Sequence, residues 1–264
     1  VRHAASCGLN RLPELPVNST DDRPVALITG AARRVGAVIA QQLHAAGYDL
    51  ALHYRHSQGD ARMLADALEQ QRADSTLLLQ GELADTAILP DLIERVLAHY
   101  GRLDALVNNA SAFYPTPIGT TTPAQWDELF ASNARAPFFL SQAAVPALRQ
   151  SKGSIVNLLD IYAERPLADH PLYCMAKAAQ AAMTRSLALD LGPDVRVNGV
   201  APGAVLWPSD GKAYDDQQAM LDRTPLQRAG SPDDVASAVL WLLRDAPFVT
   251  GQIIRIDGGR TLSV

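Results

Sequence analysis

Tyr173 and Lys177 stand four residues apart in a stretch, 172–191, whose apolar residues recur at helical spacing, so both side chains leave one face of a helix. A free phenol ionises near pH ~10, and an ammonium beside it favours the phenolate, which brings the group into the working range of a proton donor or acceptor. Pairs of this kind also arise by chance on helix surfaces, so the weight lies in what stands around them. Asp160 follows a β-rich run at 154–158, Asn108, Asn109, Ala110 and Ser111 close another at 105–108, and Asn133 lies in the helical stretch between the two. In an open α/β sheet, active groups gather beyond the carboxyl ends of the strands, so these segments deliver polar groups to one crevice. A carboxyl buried in an apolar cleft rises in pKa and becomes able to donate, which makes Asp160 and Tyr173 two candidate proton sources.

A second constellation opens the chain's first helical stretch. Thr29-Gly30-Ala31-Ala32-Arg33-Arg34-Val35-Gly36 follows a strand, where a dinucleotide pyrophosphate rests on free backbone N–H groups and on the helix dipole. Gly30 permits a tight turn and Gly36 a close helix–strand approach; the same glycines also serve an α/β turn that binds nothing. The next strand ends in His53-Tyr54-Arg55-His56-Ser57, without the acidic residue that would accept from a free ribose 2′-hydroxyl. Arg55, His56 and Ser57, with Arg34 as a second cation, suit a 2′-phosphate instead, so the cofactor expected is NADPH. The bland alternative is a solvated loop.

Seven β-rich runs, at 25–29, 49–54, 76–80, 105–108, 154–158, 196–200 and 253–257, alternate with helical stretches at 35–46, 60–71, 87–100, 123–150, 172–191 and 232–243. That alternation predicts a doubly wound α/β fold with helices on both faces of a parallel sheet. Gly47, Gly101 and Gly192 fall where helix ends favour a left-handed residue. Residues 1–23 are expected to form a disordered tail, residues 24–264 one domain, and the Pro-, Asp- and Gln-bearing connection 203–228 a substrate lid. With 264 residues, 48% of them hydrophobic, the chain can bury a sizeable core, and a net charge of −5 leaves no excess of positive charge for nucleic acid or acidic lipid. Two distant cysteines, Cys7 and Cys174, support neither a disulfide framework nor a metal cluster, and no metal is expected. No apolar run is long enough for a membrane span, and a cytoplasmic location is expected.

Taken in order, the motifs resemble those of the short-chain dehydrogenases/reductases: Thr-Gly-x-x-x-x-x-Gly at 29–36, Asn-Asn-Ala at 108–110, the helix Asn133, Tyr-x-x-x-Lys at 173–177, Pro202-Gly203, and Asp257-Gly258-Gly259. The resemblance covers about residues 24–259. It implies a Rossmann-type seven-stranded sheet in the order 3-2-1-4-5-6-7 and often a homotetramer. It further implies Tyr173 as proton donor, Lys177 holding the nicotinamide ribose and lowering the Tyr pKa, and Asn133 positioning a water. Glu82 and Leu83 would approach the adenine, and Asn109, Ala110, Ser111, Pro202, Gly203 and Val205 would line the cofactor.

Two departures narrow the choice. Arg34 replaces the usual middle glycine and Asp160 the usual catalytic serine; an ionised Asp only accepts hydrogen bonds and cannot copy a serine's contact to a ketone. Both changes look like the pteridine reductase branch, as do His53, Tyr54 and Ser57 and the aromatic Phe113. The implied substrate is a flat pterin, such as dihydromonapterin, dihydrobiopterin or dihydrofolate, stacked on Phe113 with Ser111, Arg34, Asp160 and Tyr173 at its edge. Tyr114 and Trp207 are further candidates for the pocket. The alternatives are a ketone reductase on the same scaffold and a non-catalytic dinucleotide sensor.

Overall fold

A computed structural model describes residues 23–205 and 217–262. Seven strands, β1 (Val25–Ile28), β2 (Asp49–Tyr54), β3 (Thr76–Gln80), β4 (Ala105–Asn108), β5 (Ser154–Leu158), β6 (Arg196–Pro202) and β7 (Ile253–Ile256), form one sheet in the order β3-β2-β1-β4-β5-β6-β7. Every pairing is parallel. Between the strands run α1 (Arg34–Ala45), α2 (Gln58–Glu69), α3 (Leu89–Tyr100), α4 (Pro123–Phe130), α5 (Ala136–Ser151), α6 (Pro171–Leu191), α7 (Gln217–Asp222) and α8 (Pro232–Arg244).

Alternation along β1 explains why both faces must be covered. Ala26 and Ile28 enter a core with Ile39 and Leu43 of α1 and Val235 and Val239 of α8, while Val25 and Leu27 enter a second core with Leu92 and Val96 of α3 and Leu140 of α5. Leu27 is fully buried, so truncating it to Ala would cost about 3 kcal/mol. The strand order reverses between β1 and β4, which opens a crevice beyond their carboxyl ends.

Four local expectations change. Arg23, assigned to the tail, belongs to the fold, its guanidinium donating to Asp49 at 2.9 and 3.0 Å; residues 1–22 lie outside the described residues. The single helix expected over 123–150 is two helices separated by a π-helical turn at Ala131–Arg135. Pro137 has no N–H to return to the carbonyl of Asn133, and the Asn133 amide donates to the carbonyl of Leu129 at 3.0 Å, so the regular ladder breaks there. Gly47 and Gly101 are left-handed as expected, whereas Gly192 is extended (φ −67°, ψ 149°), the region favoured by a residue preceding proline, here Pro193. The proposed lid is described only in part: residues 206–216, with Trp207, lie outside the described residues. The described remainder is tied to the turn after β7, Leu226 N–H donating to the carbonyl of Gly258 and Arg260 to that of Met220.

Candidate active site

At the proton-bearing end of the crevice, β5 delivers Asp160 and α6 delivers Tyr173. The Tyr173 hydroxyl donates to Oδ2 of Asp160 at 2.8 Å, and the backbone N–H of Tyr162 donates to Oδ1 at 2.9 Å. Burial pushes the Asp160 carboxyl above its ordinary range, outweighing the pull of those two hydrogen bonds and of Lys177 in the opposite direction. Lys177, 2% exposed, donates to the carbonyl of Leu158 at 2.7 Å and to Oε1 of Gln180 at 3.1 Å, with Nζ 5.9 Å from the centre of the Tyr173 ring. Burial lowers its pKa to about 8, and the Asp160 charge works the other way.

Phe113 closes the same end. Its ring stacks on His170 at 4.7 Å and meets the Tyr173 ring edge-on at 4.7 Å, and it remains 37% exposed toward the groove. The segment carrying it is held by Asn133, whose amide donates to the carbonyl of Ala112 at 2.9 Å and accepts from the Ser111 hydroxyl at 2.6 Å. The Asn133 side chain is thus committed to this loop. Ser111, having donated its proton to Asn133, faces the groove as an acceptor. Tyr114 donates to Glu128 of α4 at 2.9 Å.

The other end of the crevice is built mainly of backbone. A Cβ on Gly36 would lie 2.4 Å from the carbonyl oxygen of Gly30 and 2.6 Å from Nδ2 of Asn109, so only glycine fits there. The Asn109 amide donates to the carbonyls of Thr29 and Gly30 at 2.9 and 3.1 Å, and the Thr29 hydroxyl accepts from the N–H groups of Asn109 and Ala110. His53 secures the turn from below: Nδ1 accepts from Gly30 N–H at 3.3 Å and Nε2 donates to the carbonyl of Gly81 at 3.2 Å. Burial drives its pKa down to about 4, so it stays neutral. Arg34 has a left-handed backbone (φ 53°), strained for a residue with a side chain and consistent with a glycine-type position. Gly203 packs on Asp257, to whose Cα and Cβ an added Cβ would come within 2.9 Å, which joins the Pro-Gly and Asp-Gly-Gly motifs.

A family model described as "Enoyl-(Acyl carrier protein) reductase" matches residues 30–261. Pteridine reductase 1 of Leishmania tarentolae is 36% identical to the chain over 281 residues, covering 91% of this chain and 97% of the relative. Ketoacyl reductase 2 of the granaticin polyketide synthase of Streptomyces violaceoruber is 36% identical over 248 residues, with the same coverages of 91% and 97%. The 3-oxoacyl-[acyl-carrier-protein] reductase of Staphylococcus aureus is 33% identical over 238 residues, covering 89% and 96%. The chain is a short-chain dehydrogenase/reductase.

In this short-chain dehydrogenase/reductase the two ends join in one groove of about 860 Å³. Of the described residues assigned from sequence to catalysis, cofactor or substrate, all line it except Asn133, Lys177, Pro202 and the further pocket candidate Tyr114. The groove fits a nicotinamide dinucleotide on a feature of the chain itself. Helix α1 has no side-chain cap and no acidic residue in its first turn, so its leading N–H groups face the groove with no acceptor of their own.

The structure adds a contact between two of the expected cofactor residues. Arg55 and Glu82, assigned separately to a 2′-phosphate and to the adenine, form an ion pair with each other. The pairing of β2 with β3 sets Tyr54 opposite Gln80, so the residues just beyond these strand ends are neighbours, and opposite charges there attract. Among the residues of the site that were given no role from sequence are His53, Gln180 and His170. The i, i+3 spacing of Lys177 and Gln180 was a legible signal for the second. His170 carried none, because its stacking on Phe113 is a tertiary contact. Among the described residues no helix is long and apolar enough to cross a membrane, no cluster suits a metal, and Cys174 is a buried free thiol.

Proposed function

We propose that this reductase uses NADPH to reduce a pteridine, a dihydropterin such as dihydromonapterin or dihydrobiopterin, or dihydrofolate. The observation that carries the reading is the Asp160–Tyr173 hydrogen bond of 2.8 Å at the groove wall beside the exposed Phe113 ring. Reduction of a C=N bond places a hydride on carbon and a proton on nitrogen, converting NADPH to NADP⁺. When bound, the coenzyme supplies the hydride. The proton comes from the Asp160–Tyr173 pair, whose carboxyl is held toward its protonated form by burial. One face of Phe113 is backed by His170, so the groove side of the ring is the platform on which a flat heteroaromatic stacks. Ser111 accepts from donors at the pterin edge, and Arg34, which lines the same groove, contacts that edge as well. Lys177 supports the Tyr173 end, and Asn133, in place of the water contact expected of it, orders the loop that carries Ser111 and Phe113. Arg55, His56 and Ser57 take the 2′-phosphate, which sets NADPH above NADH. The same reading carries a cytoplasmic homotetramer, for which the half-exposed Phe138, Phe139 and Trp241 supply apolar surface.

A second reading, reduction of a ketone, is favoured by the two ketoacyl reductases that match at 36% and 33% identity. NADPH oxidation measured with dihydrobiopterin, dihydrofolate and a panel of β-keto esters separates the two. The pteridine reading expects turnover of the pterins, with Asp160→Ser lowering it and raising turnover of the keto esters; turnover of keto esters alone by the unaltered protein rejects it.

A further inference from the structure

Lys177 lies in the interior with two of its three N–H donors committed, and one acceptor is a side chain that the proposed reaction does not by itself require. Gln180, 1% exposed and one turn along α6, takes the ammonium on Oε1 at 3.1 Å, while its own Nε2 is buried with no hydrogen-bond partner. A leucine would fill that volume without burying an unpaired amide, so packing alone does not account for a glutamine there. The remainder of its surroundings is well satisfied: the Gln180 carbonyl accepts from Thr184, Thr184 accepts from Asn157, and Asn157 accepts from Asn108, a buried polar chain leading from α6 into β5 and β4.

The charged groups packed around α6 leave Lys177 few other partners. Arg196 of β6 donates to the carbonyls of Leu242 and Leu243, Glu128 of α4 accepts from Tyr114, Arg135 of the π-helical turn donates to Ala84, and Arg149 of α5 faces Asp194. Asp127 of α4 is exposed, and Asp160, from the turn after β5, is the group whose charge acts on Lys177. We propose that Gln180 is a positioning residue of this site: its amide oxygen keeps the Lys177 ammonium charged and fixed beside Tyr173. The carbonyl of Leu158 alone would hold a single N–H; a second, rigid acceptor fixes the direction of the ammonium and stabilises its charged form in a dry surrounding. The inference rests on the reading that Lys177 serves Tyr173 in NADPH-dependent reduction.

The sequence contains three lysines, Lys152, Lys177 and Lys212, so protein carrying isotope-labelled lysine gives three side-chain titrations by NMR, and the one lost in Lys177→Arg identifies the buried group. Its midpoint is expected near 8 in the unaltered protein. Gln180→Met, nearly the same shape with no acceptor oxygen, should lower it by about one unit or more, the scale of a lost hydrogen bond to a charged group. Gln180→Glu, which sets a carboxylate at the same distance, should raise it, and carries the test alone if the Met variant does not fold. An unchanged Lys177 midpoint in the folded variants overturns the proposal. The pH profile of kcat should move with the midpoint while KM for the substrate holds. A profile that stays put while the midpoint moves supports the placement of the ammonium and overturns the catalytic reading of Lys177.

Discussion

The two ends of the groove are built on different principles. At the dinucleotide end the charged side chains are exposed: the side chains of Arg55 and Glu82 are 58% and 42% exposed, those of Arg33 and Asp60 62% and 43%, and the anion-binding capacity lies in the backbone of the 30–36 turn. At the other end the side chains hold one another away from open solvent: half-buried Asp160 with buried Tyr173, and buried Lys177 on Leu158 and Gln180. Exposed pairs are screened by water and contribute little singly, ~0–1 kcal/mol, whereas a buried polar group deprived of its partner costs several times more. Substitutions at the two ends should therefore differ greatly in consequence.

The largest effect is expected from Tyr173→Phe, which removes the donor to Asp160 without altering the ring. Turnover should fall by ~10²–10⁴, the usual weight of a positioned general acid, while the Kd for NADPH holds. Turnover close to that of the unaltered protein would remove Tyr173 from the proton path and abolish the contrast between the two ends.

His53 sharpens the comparison, because it belongs to the dinucleotide end yet is buried. Its folded-state pKa of about 4 lies below the free value near 6.5, so the unfolded chain binds the extra proton first as pH falls. The stability attached to it is complete above pH ~6.5 and is lost on descent to pH ~4, by up to about 3 kcal/mol. Denaturant midpoints at pH 7.5 and 4.5 should show this loss, and His53→Asn, which retains an acceptor for Gly30 N–H, should flatten it. The same slope in the variant would assign the acid sensitivity to other groups.

The smallest effect belongs to the Arg55–Glu82 pair. Arg55→Ala should weaken NADPH by about 1 kcal/mol, several-fold in Kd, with NADH nearly unaffected, and Glu82→Gln should tighten NADPH by freeing the guanidinium. Equal losses for both coenzymes on removal of Arg55 would defeat the 2′-phosphate assignment, and a loss larger than that of Tyr173→Phe would invert the comparison itself.

How much of this was legible in the chain follows from the range of each interaction. All seven strands were placed to within two residues, because burial on both faces gives central strands such as β1, Val25–Ile28, a continuous apolar run, and the edge strands β3 and β7 still carry the short apolar runs Leu77–Leu79 and Ile253–Ile254. The helix break at Ala131–Arg135 was not placed, although Pro137, four residues after Asn133, was a legible signal for it; what no local reading could show is the contact of Asn133 with the carbonyl of Ala112, twenty-one residues away. Tyr173 and Lys177 could be paired from their spacing alone, and the strand-end rule brought Asp160 to the same crevice.

The sequence by itself determined the alternation of strands and helices, the glycine turn and the i, i+4 spacing of Tyr173 and Lys177, because these depend on periodicity and on neighbours a few residues apart. Only the tertiary structure decided that Arg55 faces Glu82, that His53 secures the Gly30 turn, and that the Lys177 ammonium turns inward to Gln180. Each of those outcomes is a choice among several possible partners, and the choice is made by strand pairing and by the removal of water, neither of which is a local property of the chain.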